Sequence, residues 1–183
     1  MAISATQVKE LRELSGAGIM ECKRALEQSD GNVQKAIDLL KQQGLAKAEK
    51  KSGRAASQGL VEPYIHGAGR IASLVEVNCE TDFVARTPDF KELAHDLAMQ
   101  VAATSPWVVD AEELTEAQLD ELEREFGSRA KGIEAVSLLD QAFIKDPKLA
   151  VRDLVKDRIA KLGENIVVRR FARFEVGATA GND

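Results

Sequence analysis

The stretch LVEPYIHGAGRIASLVEVNCE, residues 60–80, predicts the centre of the fold. Two runs rich in Val, Ile and Leu flank a short turn that contains two glycines, and this pattern is typical of an antiparallel β-hairpin. Pro63 lies within the first run. Because proline cannot donate a hydrogen bond to a neighbouring strand, we expect that strand at the edge of a sheet.

Two further stretches predict the elements that pack with this hairpin. Thr87 can cap a helix whose first turn holds Pro88, and the helix carries apolar residues at the spacing of one broad face. These residues are Phe90, Leu93, Ala94, Leu97, Ala98 and Val101. The later run NIVVRRFARFEVG, residues 165–177, alternates as a strand, with Ile166 and Phe174 expected on one face and Phe171 on the other. We therefore expect an α+β core with helices on one face of an antiparallel sheet.

The first 45 residues predict a small bundle of three helices. Ser4 and Gln7 form a capping-box pattern at the start of the first helix, and Gly44 is the expected end of the third. Residues 46–59 are rich in Lys, Ala, Ser and Gly, which is typical of a basic linker. Residues 60–178 then form the core, and residues 179–183 form a disordered tail.

Two capping patterns predict further helices between the hairpin and the last strand. Thr115 and Gln118 form a capping box, and Asp146 followed by Pro147 suits the start of another helix. Residues 127–137 carry no pattern that decides between helix and strand.

The amino-acid composition argues against several classes of protein. The 183 residues carry a net charge of −5 and the pI is near 5.3, which argues against a general nucleic-acid binder. No apolar run approaches the length of a membrane span, and the first residues lack the pattern of a signal peptide. We therefore expect a cytoplasmic protein without a membrane partner. Cys22 and Cys79 are far apart in sequence, so we expect no disulfide framework.

No residue pattern predicts catalytic chemistry. The two histidines, His66 and His95, have no nucleophile that can be placed beside them. Cys79, Glu80 and Asp82 are too close together in sequence for a standard zinc site. The glycines after His66 join two strands, whereas a phosphate-binding loop joins a strand to a helix. We therefore expect neither an enzyme nor a bound metal or cofactor.

The residues TDFV, 81–84, allow two interpretations. In the first, Thr81 or Asp82 shapes a turn through a side-chain hydrogen bond while Phe83 fills the core. In the second, Phe83 is exposed beside Asp82 and forms a contact with another protein. The second is favoured because the next helix already supplies Phe90 to the core and the chain offers no other site.

Two long stretches resemble the signature sequences of a known family. LRELSGAGIMECKRAL, residues 11–26, and EVNCETDFVAR, residues 76–86, are similar to the two signatures of bacterial elongation factor Ts. SLLDQAFIKDPKLAVRDLV, residues 137–155, and RRFARFEVG, residues 169–177, resemble the C-terminal part of that family. The resemblance covers nearly the whole chain, and the length is that of the short bacterial members.

The resemblance implies a translation factor that promotes guanine-nucleotide exchange on the GTPase elongation factor Tu by binding alone. It also implies that the N-terminal bundle is like a ubiquitin-associated domain. The residues implied to enter the nucleotide domain of elongation factor Tu and dislocate its magnesium ion are Thr81, Asp82, Phe83 and Val84. Those implied to dock on the same domain are Lys9, Arg12, Ile19, Met20 and Lys23 of the bundle and Lys51 of the linker.

The short members of the family also imply a homodimer. The core, residues 60–178, would then be the dimerisation domain, with contact through the sheet and the face around Phe171.

Two other functions remain open at this stage. A passive adaptor or chaperone would use the bundle for recognition and would bind a partner without accelerating nucleotide release. An RNA-binding translation protein would use the linker cations and would show a strongly salt-dependent affinity for RNA. The linker cations are Lys47, Lys50, Lys51 and Arg54. The acidic pI disfavours direct binding of nucleic acid.

Overall fold

The structure is a computed structural model that describes residues 3–178. Within this range the N-terminal helices are α1 (Ala5–Ser15), α2 (Ile19–Gln28) and α3 (Val33–Glu49). The hairpin and the helices after it are β1 (Gln58–His66), β2 (Ile71–Cys79), α4 (Asp82–Ala85), α5 (Pro88–Thr104), α6 (Glu116–Phe126) and α7 (Arg129–Val136). The C-terminal elements are β3 (Ala142–Phe143), β4 (Asp146–Ala150), α8 (Val151–Leu162) and β5 (Ile166–Glu175).

The expected hairpin is the centre of a three-stranded antiparallel sheet in the order β1-β2-β5. β1 lies at the edge, as Pro63 predicts. Helix α5 packs across one face of the sheet, and Phe90, Leu93 and Leu97 are fully or almost fully buried there. Burial of this apolar layer supplies most of the driving force for folding of the core. The α+β prediction is confirmed.

A β-bulge in β5 changes the faces expected for this strand. Glu76 pairs with Arg170 and Val77 with Val168, so Arg169 is an extra residue that has no partner in β2. Beyond the bulge, Phe171 faces the helical layer and packs against the core, while Phe174 is exposed. The prediction that the face around Phe171 is exposed is therefore wrong, because one unpaired residue shifts a two-residue alternation to the opposite face.

The three N-terminal helices form a separate small core around Leu11, Cys22 and Leu26. The capping box of Ser4 and Gln7 is present, as predicted. We expected helix α3 to end at Gly44, but it continues to Glu49. A Cβ at Gly44 would lie 3.3 Å from Cβ of Ala160, so the glycine allows α3 to approach α8 closely. Residues 50–57 make the non-helical connection to β1.

The segment that begins at Asp146 forms a strand rather than the start of a helix. β4 pairs with β3, and α8 begins only at Val151. The side chain of Asp146 does accept a hydrogen bond from the backbone N–H of Lys148, so the aspartate shapes a local turn. The prediction of a helix cap at Asp146 and Pro147 is wrong because the backbone of this segment pairs with β3 as a strand.

Residues 127–137, which no pattern assigned to helix or strand, contain helix α7, which packs against the predicted helix α6. The capping box of Thr115 and Gln118 begins α6, as predicted. Arg129 at the start of α7 pairs with three acidic side chains of α6. These side chains are Glu116, Asp120 and Glu123.

Candidate functional site

The TDFV residues form a single exposed helical turn directly after β2. Thr81 caps α4, and its Oγ1 accepts a hydrogen bond from the backbone N–H of Val84 at 3.4 Å. The turn leaves 78% of Phe83 exposed, the largest fraction among the exposed large hydrophobic side chains of residues 3–178. The interpretation in which Phe83 fills the core is therefore wrong, although Thr81 does shape the turn.

Val84 belongs to the core and not to the surface of this turn. It is 7% exposed and packs in the same cluster as the residues of α5 and β2. One turn of helix places Phe83 and Val84 on different sides, because neighbouring residues are separated by about 100° around the axis. Val84 anchors the turn, and the surface that it presents consists of Thr81, Asp82 and Phe83.

Asp82 is already engaged within the turn. Nη2 of Arg86 lies 2.7 Å from Oδ2 of Asp82, at the i, i+4 spacing of a helix. Both side chains are largely exposed, so the ion pair contributes little stability. Arg86 was not among the predicted site residues, although its spacing from Asp82 is a local signal.

Thr81 is also held by a residue that is distant in sequence. Its backbone N–H donates to Oε2 of Glu164 at 3.0 Å, and its hydroxyl donates to Oε1 of the same carboxylate at 2.7 Å. Glu164 lies in the turn between α8 and β5. No local pattern could have connected the two residues, because only the pairing of β2 with β5 brings them together.

The residues expected to dock from the bundle lie on its surface. Ile19 is 57% exposed and Met20 62% exposed at the start of α2. Leu14, at the end of α1, is 63% exposed and was missed as a surface residue. The cations Lys9, Arg12 and Lys23 are also exposed. Lys9 and Lys23 make only long i, i+4 contacts with acidic side chains.

One lysine connects the bundle with the neighbourhood of the TDFV turn. A Cβ at Gly16, in the turn before Ile19, would lie 3.9 Å from Cε of Lys161. Nζ of Lys161 lies 2.6 Å from Oδ1 of Asp89 in the first turn of α5, shortly after Phe83. Lys161 thus lies between the segment that carries Ile19 and the segment that carries Phe83.

The linker is tied to the core by hydrogen bonds. The buried Asn165 donates through Nδ2 to the carbonyl oxygens of Ser52 and Arg54, at 3.2 and 2.7 Å. Its backbone N–H donates to Oε1 of Glu80 at 2.7 Å. Lys51 lies beside the same turn, with Nζ 3.8 Å from the position of a Cβ at Gly163.

Two of the four cations proposed for RNA binding are paired within the molecule. Arg54 pairs with Glu80 at 3.5 Å, and Lys47 of α3 pairs with Glu21 of α2. The hydrogen bond from Lys47 holds the pKa of Glu21 below its ordinary value. These pairs reduce the positive charge that the linker offers to a phosphate backbone.

The described part of the chain contains no group of three or more His, Cys, Asp or Glu side chains that could hold a metal ion. Cys79 is buried, and its thiol donates to the carbonyl oxygen of Thr81 at 3.1 Å. Burial raises the pKa of the Cys79 thiol, which disfavours the reactive thiolate. Between residues 3 and 178, no helix has both the length and the apolar character that a membrane span requires.

Comparison with known proteins defines the class of this one. The family model described as "Elongation factor TS" matches residues 5–132, so the protein is a translation elongation factor. Proteins named elongation factor Ts resemble it over nearly its whole length. The one from Herpetosiphon aurantiacus is 51% identical, and the alignment covers 97% of this chain and 100% of the relative. The one from Carboxydothermus hydrogenoformans is 50% identical over 96% of this chain and 89% of the relative. The chain belongs to the elongation factor Ts family.

The alignment with the Herpetosiphon aurantiacus protein spans 198 positions, which exceeds the 183 residues of this chain. The relative therefore contains residues that this chain lacks.

Proposed function

We propose that this protein is a guanine-nucleotide exchange factor for elongation factor Tu. Membership of the family supports the partner, and the exposure of Phe83 is the observation that carries the mechanism. A large apolar ring that is 78% exposed on an ordered turn has no role in the stability of its own core. Such a ring is suited to enter a pocket between packed elements of a partner.

The proposed mechanism is a competition between two bound states of elongation factor Tu. A GTPase holds its nucleotide through a magnesium ion and through groups around the phosphates. Insertion of Phe83, with Asp82 beside it, would displace elements that hold the magnesium ion and weaken the site for GDP. Because binding energies are reciprocal, GDP must weaken the binding of this protein by the same factor. The residues described here would bind elongation factor Tu and displace the elements that hold its magnesium ion. The proposed exchange needs no covalent step and no cofactor of this chain.

The bundle provides the proposed second contact on the same domain. Ile19 and Met20 would supply apolar area, and the flanking cations would pair with acidic groups of the partner. The proposed cations are Lys9, Arg12, Lys23 and, in the linker, Lys51. Two contacts on one rigid body bind more tightly than either alone, because the second forms at a high effective concentration. The packing of α3 on α8 supports this arrangement.

The free face of the sheet is the proposed site of a homodimer. The side chains that face away from α5 include four exposed apolar residues. They are Val61, Ile65, Leu74 and Phe174. An apolar face of this kind favours an interface, and a second copy related by a two-fold axis would bring the same residues against it. We propose this face in place of the one around Phe171, and we propose the cytoplasm as the location.

The test of the exchange function is stopped-flow release of a fluorescent GDP analogue from elongation factor Tu. We expect the wild-type protein to accelerate release and Phe83→Ala to lose at least about tenfold in efficiency, the scale of an interface hot spot. Asp82→Ala should lose less, because Arg86 already competes for its carboxylate. Trp107→Ala is the matched control, since it removes another aromatic ring that is 49% exposed.

The alternatives predict different results in the same experiment. Binding of elongation factor Tu without faster release would identify an adaptor. Salt-dependent binding of RNA without binding of elongation factor Tu would identify an RNA-binding protein. Equal activity of Phe83→Ala and the wild-type protein would contradict the proposed mechanism.

A further inference from the structure

We infer that Glu164 is a positioning residue that holds the TDFV turn in its binding conformation, an inference that rests on the proposed exchange function. Glu164 is partly buried and would act through Thr81. Both of its carboxylate oxygens accept hydrogen bonds from that one residue, at 3.0 Å from the N–H and 2.7 Å from the hydroxyl. Charge-assisted hydrogen bonds of this kind are stronger than neutral ones.

The two donors of Thr81 explain why a carboxylate suits this position, since each of its oxygens accepts one of the two hydrogen bonds. A threonine hydroxyl has one proton to donate and lone pairs to accept. Donation of this proton to Glu164 turns a lone pair of Oγ1 toward the N–H of Val84, which it caps at 3.4 Å. Glu164 therefore fixes the direction of the cap as well as the place of the backbone. A helix of only four residues is too short to be stable through its own backbone hydrogen bonds, so the contacts of Thr81 add to the burial of Val84 and to the Asp82–Arg86 pair.

Glu164 is itself held on both sides. Gly163 ends α8 in the left-handed conformation, with φ of 80°, and directs the chain out of the helix. Asn165 follows, is 2% exposed, and is fixed by Glu80 and by two carbonyl oxygens of the linker. Among residues 3–178, Glu164 forms no ion pair with a lysine, arginine or histidine. Its carboxylate is thus dedicated to Thr81.

In this arrangement the TDFV turn loses its conformational entropy when the protein folds, and not when it binds its partner. A protein whose binding conformation is only partly populated binds with an affinity reduced by that fraction. If Glu164 keeps the turn ordered, Phe83 is already placed when the partner arrives. Loss of Glu164 should then raise the concentration of this protein needed for half-maximal GDP release. The rate at saturation should stay the same, because Phe83 itself is unchanged.

A second role for Glu164 would be purely structural, as a link between the end of β2 and the turn before β5. In that case, loss of the side chain would lower the stability of the core and leave the order of the TDFV turn unaffected. Hydrogen exchange at the amide of Val84 distinguishes the two roles. This N–H donates to Oγ1 of Thr81 and not to Glu164, so its protection reports the order of the turn and not merely the loss of an acceptor.

The experiment compares wild type, Glu164→Ala, Glu164→Gln and the control Glu125→Ala, which removes an exposed carboxylate of α6. Amide exchange is followed by NMR, thermal unfolding by circular dichroism, and GDP release by titration of elongation factor Tu with each variant. We expect exchange at the Val84 amide to accelerate at least about tenfold in Glu164→Ala, with a smaller change in Glu164→Gln, which keeps one acceptor oxygen. Glu164→Gln conserves the side-chain volume and takes the place of Glu164→Ala in these measurements if that variant does not fold.

The half-saturating concentration should rise about threefold to tenfold in Glu164→Ala, with an unchanged rate at saturation. In a Thr81→Val background the same substitution should cost less, because the hydroxyl that it acts through is gone. An unchanged Val84 amide, an unchanged half-saturating concentration, or a lower rate at saturation would overturn the inference. Failure of the wild-type protein to accelerate GDP release would overturn the proposed function. Protection of the Val84 amide would still test whether Glu164 holds the turn.

Discussion

Gly44 of α3 lies directly against Ala160 of α8, and a Cβ on the glycine would be 3.3 Å from Cβ of the alanine. This is closer than side chains normally pack, so the two helices can approach only because one of them has no side chain there. The contact joins the N-terminal bundle to the core. It thereby sets the relation between the two surfaces proposed to bind elongation factor Tu.

Gly44→Val should separate these helices. We expect a loss of about 1–3 kcal/mol in the free energy of unfolding, the usual cost of overpacking. Trypsin should also cleave the connection after Lys50 or Lys51 more rapidly, since the linker lies beside α8. Circular dichroism and limited proteolysis measure the two effects. Gly53→Val is the control, because a Cβ at Gly53 meets no atom within 4 Å. Equal behaviour of the two variants would show that the close contact is unimportant.

Gly132→Ala should destabilise the pair of helices α6 and α7. Alanine normally favours a helix by about 1 kcal/mol over glycine. Here, however, the added Cβ would lie 2.5 Å from Cβ of Leu122, which forces the helices apart. We therefore expect a lower free energy of unfolding in urea, by about 1–3 kcal/mol. A gain in stability would mean that α6 and α7 can shift without cost.

Phe174→Asp should dissociate the proposed dimer. The ring is 59% exposed on the free face of the sheet, and a carboxylate there would be buried without a partner between two copies. Analytical ultracentrifugation should give a dimer for the wild-type protein and a monomer for the variant. Trp107→Asp, which changes an exposed aromatic residue away from the sheet, should remain dimeric. A monomeric wild-type protein at micromolar concentration would contradict the proposed interface.

Arg152 should make the stability of the protein sensitive to acid. Its guanidinium lies 2.8 Å from Asp110 and 3.0 Å from Asp140, and the hydrogen bond to Asp110 holds the pKa of that carboxyl below its ordinary value. A carboxyl whose pKa is lower in the folded state stabilises the protein at pH above its unfolded pKa, about 3.9. This contribution disappears as the pH falls through the lower folded pKa.

The free energy of unfolding should therefore fall less steeply with acid in Arg152→Met than in the wild-type protein. Urea unfolding at neutral pH and below about pH 4 measures the difference. Arg124→Met is the control, because Arg124 is exposed and its Nε bonds only a backbone carbonyl. Parallel pH profiles for Arg152→Met and the wild-type protein would contradict the role of this ion pair.

Sequence patterns correctly predicted the elements whose formation depends on residues close together in the chain. The apolar face of α5, the hairpin and the caps at Ser4, Thr87 and Thr115 depend on residues a few positions apart, and all are present. The exposure of Phe83 followed from a different argument, that the core already had its aromatic residue. These are cases in which neighbouring residues and the fold favour the same conformation.

The predictions that failed depend on contacts between distant segments. Gly44 resembles a helix stop, but its neighbour is Ala160, and only the packing of α8 reveals why α3 continues. Asp146 resembles a cap, but its backbone pairs with β3. Glu164 gave no signal at all, since its partner Thr81 is 83 positions away. Tertiary contacts override local preference at each of these positions.

The bulge at Arg169 makes the spacing of residues along β5 decide which ring packs in the core. A deletion of Arg169 would leave a regular ladder in which Phe171 still pairs with Val75 and Phe174 with Ala72, because the bulge residue has no partner to lose. With Arg169 retained, a ladder that continued regularly from Val168 would instead turn Phe174 toward α5 and Phe171 toward the opposite face. Relatives that lack the extra residue would therefore be expected to alternate apolar and polar residues without interruption along the whole strand.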